Sequence, residues 1–382
     1  MKKILLIVSN ETAAILMASL NNEIKNSTFD LIIEKSFKKE NKVEKNILQI
    51  LKSCKIKKFF ILEKCSADNF FYFKKIFNLF KILKKNRITN KYLKSLFLKN
   101  NLKNYDEIWF SHEHCSRFII NEFKKGVKKR YFFHGYGDIN LLIKHNFIKK
   151  IKVVLEKEIN KIFFNNIIPI NDKEIYYYNF FNKYYNKNVF YLPKIVKIKN
   201  YKKILNNLTK QLSLKDDYKN SVLISGNLPT FNNNELINKY IDKYTNLLKK
   251  NIPINKKYTI LIKEKNDYIY NNYARDKFLK KLKNIFPNKI VILKKIYRTS
   301  IPFEVMALKI NPSIIISQLS TSDFILSEIL SKTKYLSVKK FNEKFRQINN
   351  INSSQFLSEK KIVSNGIFVQ NNLKKPKNIK FI

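Results

Sequence analysis

Four short stretches hold the residue types that group-transfer chemistry needs, and each stands where an apolar run ends. In HGYGDIN, His134 and Asp138 can each take a proton from a hydroxyl. Gly135 and Gly137 between them permit positive φ and a close backbone approach to a ligand. The whole chain of 382 residues has five glycines and four histidines, so this concentration is not a matter of composition. In ISGNLP, Gly226 and Asn227 form a small turn whose backbone N–H groups can face an anion. In LIKEKN, Lys263 and Lys265 can offset charge on a departing phosphate. The fourth stretch is split. Pro302 opens a helix that sets Glu304 near the ribose hydroxyls of a ligand, and Ser320, Thr321 and Ser322 stand at the start of the next helix, where hydroxyls and free N–H groups make a phosphate site. The ordinary readings of the same stretches are a plain β-turn, a strand exit, solvated lysines and a single Ser/Thr cap.

Other chemistries find less support. His112, Glu113 and His114 lack a third matching ligand for a metal at tetrahedral spacing, so no metal site is expected. There is no Walker A loop, no GxGxxG fingerprint and no GxSxG nucleophile turn. Cys54, Cys65 and Cys115 form no CxxC pair, which fits a reducing cytoplasm better than a disulfide framework. The opening MKKILLIVSNETAA has too short an apolar run for a signal peptide, and no stretch is long and apolar enough to suit a membrane span.

The elements that must position these residues follow from the apolar runs. ILLIV, then SNET, then AAILMASL reads as strand, turn and helix, the opening of a doubly wound α/β domain. Further strand-like runs lie at residues 29–33, 58–63, 105–111 and 130–135, and VFYLPK at 189–194 closes the series. A polar, lysine-rich segment at 201–219 reads as linker plus helix. A second series has strands within 221–229, 258–265, 289–295, 312–322 and 333–338. Two βα series of this size predict an α/β protein with two Rossmann-like domains facing a cleft. The boundaries read as residues 1–197, 198–350, and a tail at 351–382 packing back on the first domain.

Lys and Arg number 76 against 29 Asp and Glu, a formal net charge of +47. Such an excess suits nucleic acid, an acidic membrane surface, a nucleotide or an acidic glycan. Abundant Asn, Ile, Lys, Phe and Tyr point equally to adenine- and thymine-rich codons, and Arg, the better bidentate phosphate reader, is scarce. Charge alone therefore does not select the partner.

In order along the chain, FHGYGD, LIKEKN, IPFE and LSTS resemble the motifs of the bacterial sialyltransferases of GT-B fold, especially the polysialyltransferase and lipooligosaccharide sialyltransferase group. The resemblance runs from KKILLIVSN to about residue 330, and it is thin outside the motifs. It implies a metal-independent, inverting transfer of sialic acid from CMP-sialic acid to a surface glycan or glycolipid, with no cofactor. It also implies work in the cytoplasm, at the inner face of the membrane. His134 or Asp138 would be the base, Lys265 would assist departure of CMP, Glu304 would hold the cytidine ribose, and Ser320, Thr321 and Ser322 the phosphate. Two departures stand out. Phe133 and His134 occupy the places before the glycine where that family has its acidic residue, and Lys265-Asn266 replaces a His-Pro pair. A donor carrying another CMP-linked ulosonic acid or a CDP-linked polyol is the alternative within transferases. A relic that binds CMP without turnover, and a basic nucleic-acid-binding protein, are the non-catalytic ones.

Overall fold

The computed structural model describes residues 1–8, 10–21, 24, 26–34, 42–62, 91–92, 94–100, 102, 104–111, 127–132, 174–177, 195–197, 200–210, 218, 220–225, 228, 231, 233–253, 258–263, 272–287, 289–293, 302–318, 321–351, 376 and 378–382. The chain divides into two compact units, whose largest continuous blocks are Met1–His134 and Leu205–Ile382. The division falls within a helix, α3 (Tyr201–Lys210), where the sequence places it at 197–198. Each unit is built on a parallel sheet.

In the first unit, β1 (Lys2–Val8) leads into α1 (Glu11–Asn21), followed by β2 (Ser27–Glu34), α2 (Lys42–Ile50) and β3 (Ile56–Leu62). Then come β4 (Glu107–Ser111), β5 (Lys128–Phe132), β6 (Glu174–Tyr177) and β7 (Ile195–Lys197). The sheet order is β3-β2-β1-β4-β5-β6-β7, with every pair parallel. Ile4 through Val8 are wholly buried, as a strand covered on both faces must be. The turn after β1 is set by Asn10, whose Oδ1 accepts from the Ala13 N–H at 2.9 Å and so caps α1. Trp109 fills the centre of the sheet, with Phe29 and Phe132 at ring distances of 5.6 and 5.5 Å.

In the second unit, β8 (Ser221–Ser225), α4 (Asn234–Asn251), β9 (Thr259–Lys263), α5 (Asn272–Ile285) and β10 (Ile290–Ile292) form the first half. The second half is α6 (Phe303–Ile310), β11 (Ile314–Ser317), α7 (Thr321–Ile329), β12 (Lys334–Ser337), α8 (Lys339–Ile348) and β13 (Ile379–Phe381). The order is β10-β9-β8-β11-β12-β13, again parallel throughout. Helix α4 shows why these segments are helical. Asn233 accepts from the N–H groups of Glu235 and Leu236 at 2.7 and 3.4 Å, and Ile237, Tyr240, Ile241, Tyr244 and Leu248 then recur on one buried stripe.

The two-sheet reading is therefore what the chain forms, with differences at the ends. The closing run expected at 189–194 lies outside the described residues, and the described closing strand is β7, just beyond Pro193. The tail is expected against the first domain. Its described end is instead β13, hydrogen-bonded to β12 in the second sheet, with the Ile382 N–H donating to the Ser337 carbonyl at 2.9 Å. Those residues complete an edge whose backbone groups would otherwise stay open.

Candidate functional site

In an open parallel sheet, ligands gather beyond the carboxyl ends of the strands, at the point where the strand order reverses. In the first sheet the reversal lies between β1 and β4, and in the second between β8 and β11. Along the chain, the Gly226–Asn227 stretch comes after β8 and the Ser320–Ser322 stretch after β11, and of these residues Thr321 and Ser322, at the start of the helix that follows β11, are described.

The arrangement there is set by α6 and α7. Helix α6 descends from the carboxyl edge toward β11, and α7 starts again from that edge once β11 has climbed back, so the two helix N-termini meet on the same side. Pro302 precedes α6 in an extended conformation, and its carbonyl accepts the Met306 N–H at 3.2 Å. Glu304, the second residue of α6, is 4% exposed. Ser322, the second residue of α7, donates its hydroxyl to Glu304 Oε1 at 2.8 Å. The last two motifs of the sequence thus meet in one hydrogen bond. A hydroxyl has one hydrogen, so Ser322 in this geometry steers the carboxylate rather than donating to a phosphate. What α7 holds toward an anion is its first-turn backbone N–H groups and the positive end of its dipole.

A second carboxylate, Asp323, follows at once and is 1% exposed. Burial, and then the charge of Asp323, push the Tyr335 hydroxyl well above its ordinary range, so this phenol stays protonated at any physiological pH. Both carboxylates lie in first helical turns, where the dipole favours negative charge. Lys263 closes β9 in register with Ser225 of β8 and is half-buried at the same edge of the sheet. Thr321 is the first residue of α7.

The other expected site residues, His134, Gly135, Gly137, Asp138, Gly226, Asn227, Lys265 and Ser320, lie outside the described residues, as do His112, Glu113 and His114. Among the described residues, no group of three or more His, Cys, Asp or Glu is placed to hold a metal ion. Among the same residues, no helix is long and apolar enough to cross a membrane.

One buried ionic cluster escapes a motif search altogether. Glu107 opens β4, at the amino end of the first sheet's strands, and its side chain is 2% exposed. Arg130 Nε lies 2.6 Å from Oε2 and its Nη2 donates to Oε1 at 3.1 Å, while Trp109 Nε1 donates to Oε2 at 2.9 Å and Lys2 Nζ to Oε1 at 3.1 Å. Burial pushes this carboxyl up, but the hydrogen bonds from Arg130, Trp109 and Lys2 and the charge of Arg130 outweigh it and hold it below its usual value. A carboxylate so surrounded, at the end of the sheet away from the ligand edge, is structural. Its only sequence signal is an acidic residue directly before the apolar run IWF.

No protein-family model matches the chain, and no curated protein matches it. Among solved structures, the chain is similar to a UDP-GlcNAc 2-epimerase from Neisseria meningitidis bound to UDP-GlcNAc, at 11% identity over 96% of this chain and 99% of that one, with a TM-score of 0.42. It is similar to a glycosyltransferase from Rickettsia africae at 12% identity over 98% and 94%, with a TM-score of 0.40. A third is UGT2 of Phytolacca americana, complexed with UDP-2fluoro-glucose and pterostilbene, at 8% identity over 88% and 80%, with a TM-score of 0.46. All three scores lie below one half, and such likenesses of outline carry nothing about substrate or reaction.

Proposed function

We propose that the chain is a glycosyltransferase of GT-B type that moves sialic acid from CMP-sialic acid to a surface-glycan acceptor by a single inverting displacement. The observation that carries this reading is the part-buried Glu304–Ser322 contact at the carboxyl edge of the second sheet, beside its strand reversal. A carboxylate fixed by a hydroxyl and standing beside a helix N-terminus offers an acceptor for ribose hydroxyls and donors for a phosphate within one small volume. The order of the IPFE and LSTS motifs in the sialyltransferase resemblance supports the same assignment.

In this mechanism the acceptor hydroxyl oxygen bonds to the anomeric carbon of the sugar as the bond from that carbon to the CMP phosphate oxygen breaks. The electron pair leaves with CMP, and the hydroxyl proton passes to His134 or Asp138. Lys263, Lys265 and the first turn of α7 offset the charge on the departing phosphate. Glu304 holds the ribose. No metal ion or cofactor takes part in the scheme.

The test is a thermal-shift series with CMP, CDP, UDP and GDP, alongside transfer of labelled sugar from CMP-sialic acid to a glycan acceptor. CMP should raise the melting temperature of the wild-type protein. Glu304→Gln should weaken CMP binding by about ten- to a hundredfold, the loss expected when a charged hydrogen bond is removed. A preference for CDP would move the donor to a CDP-linked polyol. Indifference to all four nucleotides would overturn the transferase reading.

A further inference from the structure

The positive charge of this chain is not spread evenly over its second unit. Helices α4, α5 and α8 cover one face of the second sheet through a cluster that includes Tyr240, Tyr244, Phe278 and Phe345. Together these helices carry thirteen Lys and Arg against four Asp and Glu. Helices α6 and α7 carry one Lys against Glu304, Asp323 and Glu328. They stand on the opposite face. None of their residues belongs to that cluster, and Asp323 acts on Tyr335, which alternates with the cluster residue Leu336. In the first unit, α1 and α2 carry two basic and two acidic residues. Helix α3 carries three Lys and no acidic residue, so lysine loading is not confined to one layer of the molecule, but within the second unit a uniform codon bias would load α6 and α7 as it loads α4, α5 and α8.

The geometry makes the basic layer a surface. Tyr240, Tyr244, Phe278 and Phe345 point inward, which turns Lys239, Lys250, Lys280, Lys283, Lys340 and Lys344 to solvent, all of them exposed. Two larger side chains share the exposed side, Tyr273 at the start of α5 (42% exposed) and Ile348 at the end of α8 (58%). Nucleic-acid readers rely on arginine forks and on rows of rings for stacking. This layer has flexible ammonium groups spread over three helices, with an apolar or amphipathic side chain at two helix ends. That combination suits a diffuse anionic plane whose interface accepts such tips. We propose that the outer face of α4, α5 and α8 docks on a lipid bilayer rich in anionic headgroups. The inference stands independently of the transferase reading.

The experiment is co-sedimentation of the full chain with phosphatidylcholine vesicles, with and without about one third phosphatidylglycerol, at about 0.15 M salt, where exposed charges are screened beyond about 8 Å. One variant carries Lys250→Glu, Lys280→Glu, Lys340→Glu and Lys344→Glu. A control carries Lys52→Glu, Lys55→Glu, Lys57→Glu and Lys99→Glu, exposed positions of the first unit, and changes the net charge equally. The wild type should bind only the anionic vesicles. The first variant should lose about a hundredfold or more in partitioning and the control less than about threefold. A Lys→Gln set at the first four positions should lose less, in the same direction, and serves if the reversals impair folding. Equal losses in variant and control, or no binding by the wild type, would overturn the proposal. So would binding of a single-stranded RNA oligomer by this face in preference to the vesicles, which would assign it to nucleic acid.

Discussion

Two buried carboxylates show how position along a strand separates scaffold from site. Glu107 opens β4 and is enclosed by Arg130, Trp109 and Lys2, whereas Glu304 opens a helix at the carboxyl edge and meets the Ser322 hydroxyl. Removing the Glu107 charge leaves Arg130, itself buried, facing a neutral amide, and breaking a buried pair in this way costs about 3–5 kcal/mol. Glu107→Gln should therefore unfold at markedly lower urea, and Glu107→Gln/Arg130→Met should recover much of the loss. The sign of the pH dependence follows from the depressed carboxyl. Its stabilisation is complete above the unfolded-state value of about 4.3 and is lost as pH falls through the lower folded value. The gap between wild type and Glu107→Gln should hold at neutral pH and close in acid. A gap that stays constant down to about pH 3 would mean that packing, not charge, is what the substitution removes. Cys54 offers a contrast at the same scale. Burial pushes its thiol up to about 12, so it stays neutral and inert, a packing residue rather than a nucleophile.

At the scale of elements, the helices of the second unit are held by ring packing. Phe345 of α8 meets Tyr240 edge-on at 5.1 Å and Phe231 at 6.0 Å, and it is 3% exposed. Phe345→Ala should cost about 3–5 kcal/mol, read as a lower urea midpoint with unchanged slope, while the exposed Lys344→Ala should change little. A small effect from Phe345→Ala would mean that α8 is held by its ends and not by its aromatic face. These elements were legible in the sequence to different degrees. Long apolar runs such as KKILLIV and SVLIS announce buried parallel strands, and of the asparagine-capped helices that follow, α4 has a clear apolar stripe, whereas α1 is buried continuously from Ala13 to Leu20. The strands β6, β7 and β13 do not stand out. They are three or four residues long, and EIYY lies in a tract where tyrosine, lysine and asparagine recur without period. Helix ends were also obscured, because a chain with five glycines marks few of them with glycine. The described non-glycine residues with positive φ are Asn26, Asn104, Asn311 and Asn350, and Asn311 ends α6 where a glycine would be the usual signal. In the candidate site, residue types pointed to Glu304 and Ser322 separately. That they touch depends on α6 and α7 both starting from one edge of the sheet, which no local pattern states.

At the scale of the whole molecule, both units wind the same way. In each, the first strand pairs with the second on one side and the fourth on the other, which places a strand reversal near the sheet's centre. This repeated winding is carried by a chain whose basic residues exceed its acidic ones by 47. Like-charge repulsion in such a chain opposes the compact state, because folding brings ammonium groups closer than they lie in the extended chain. The ion pairs work in the other direction, but those at the surface, such as Lys239 with Glu235 and Arg275 with Asp276, contribute little each. The buried cluster around Glu107 is poorly reached by mobile ions. Added salt should therefore relieve more repulsion than it removes attraction, and raising sodium chloride from about 0.02 to about 0.3 M should increase the melting temperature by several degrees. Chloride is the salt to use, since sulfate and phosphate also stabilise through exclusion from the surface. A melting temperature that falls across this range in calorimetry would reverse the balance and make the surface ion pairs the dominant electrostatic contribution. A rise confined to salts of multivalent anions would trace the effect to anions bound at particular sites, not to the net charge.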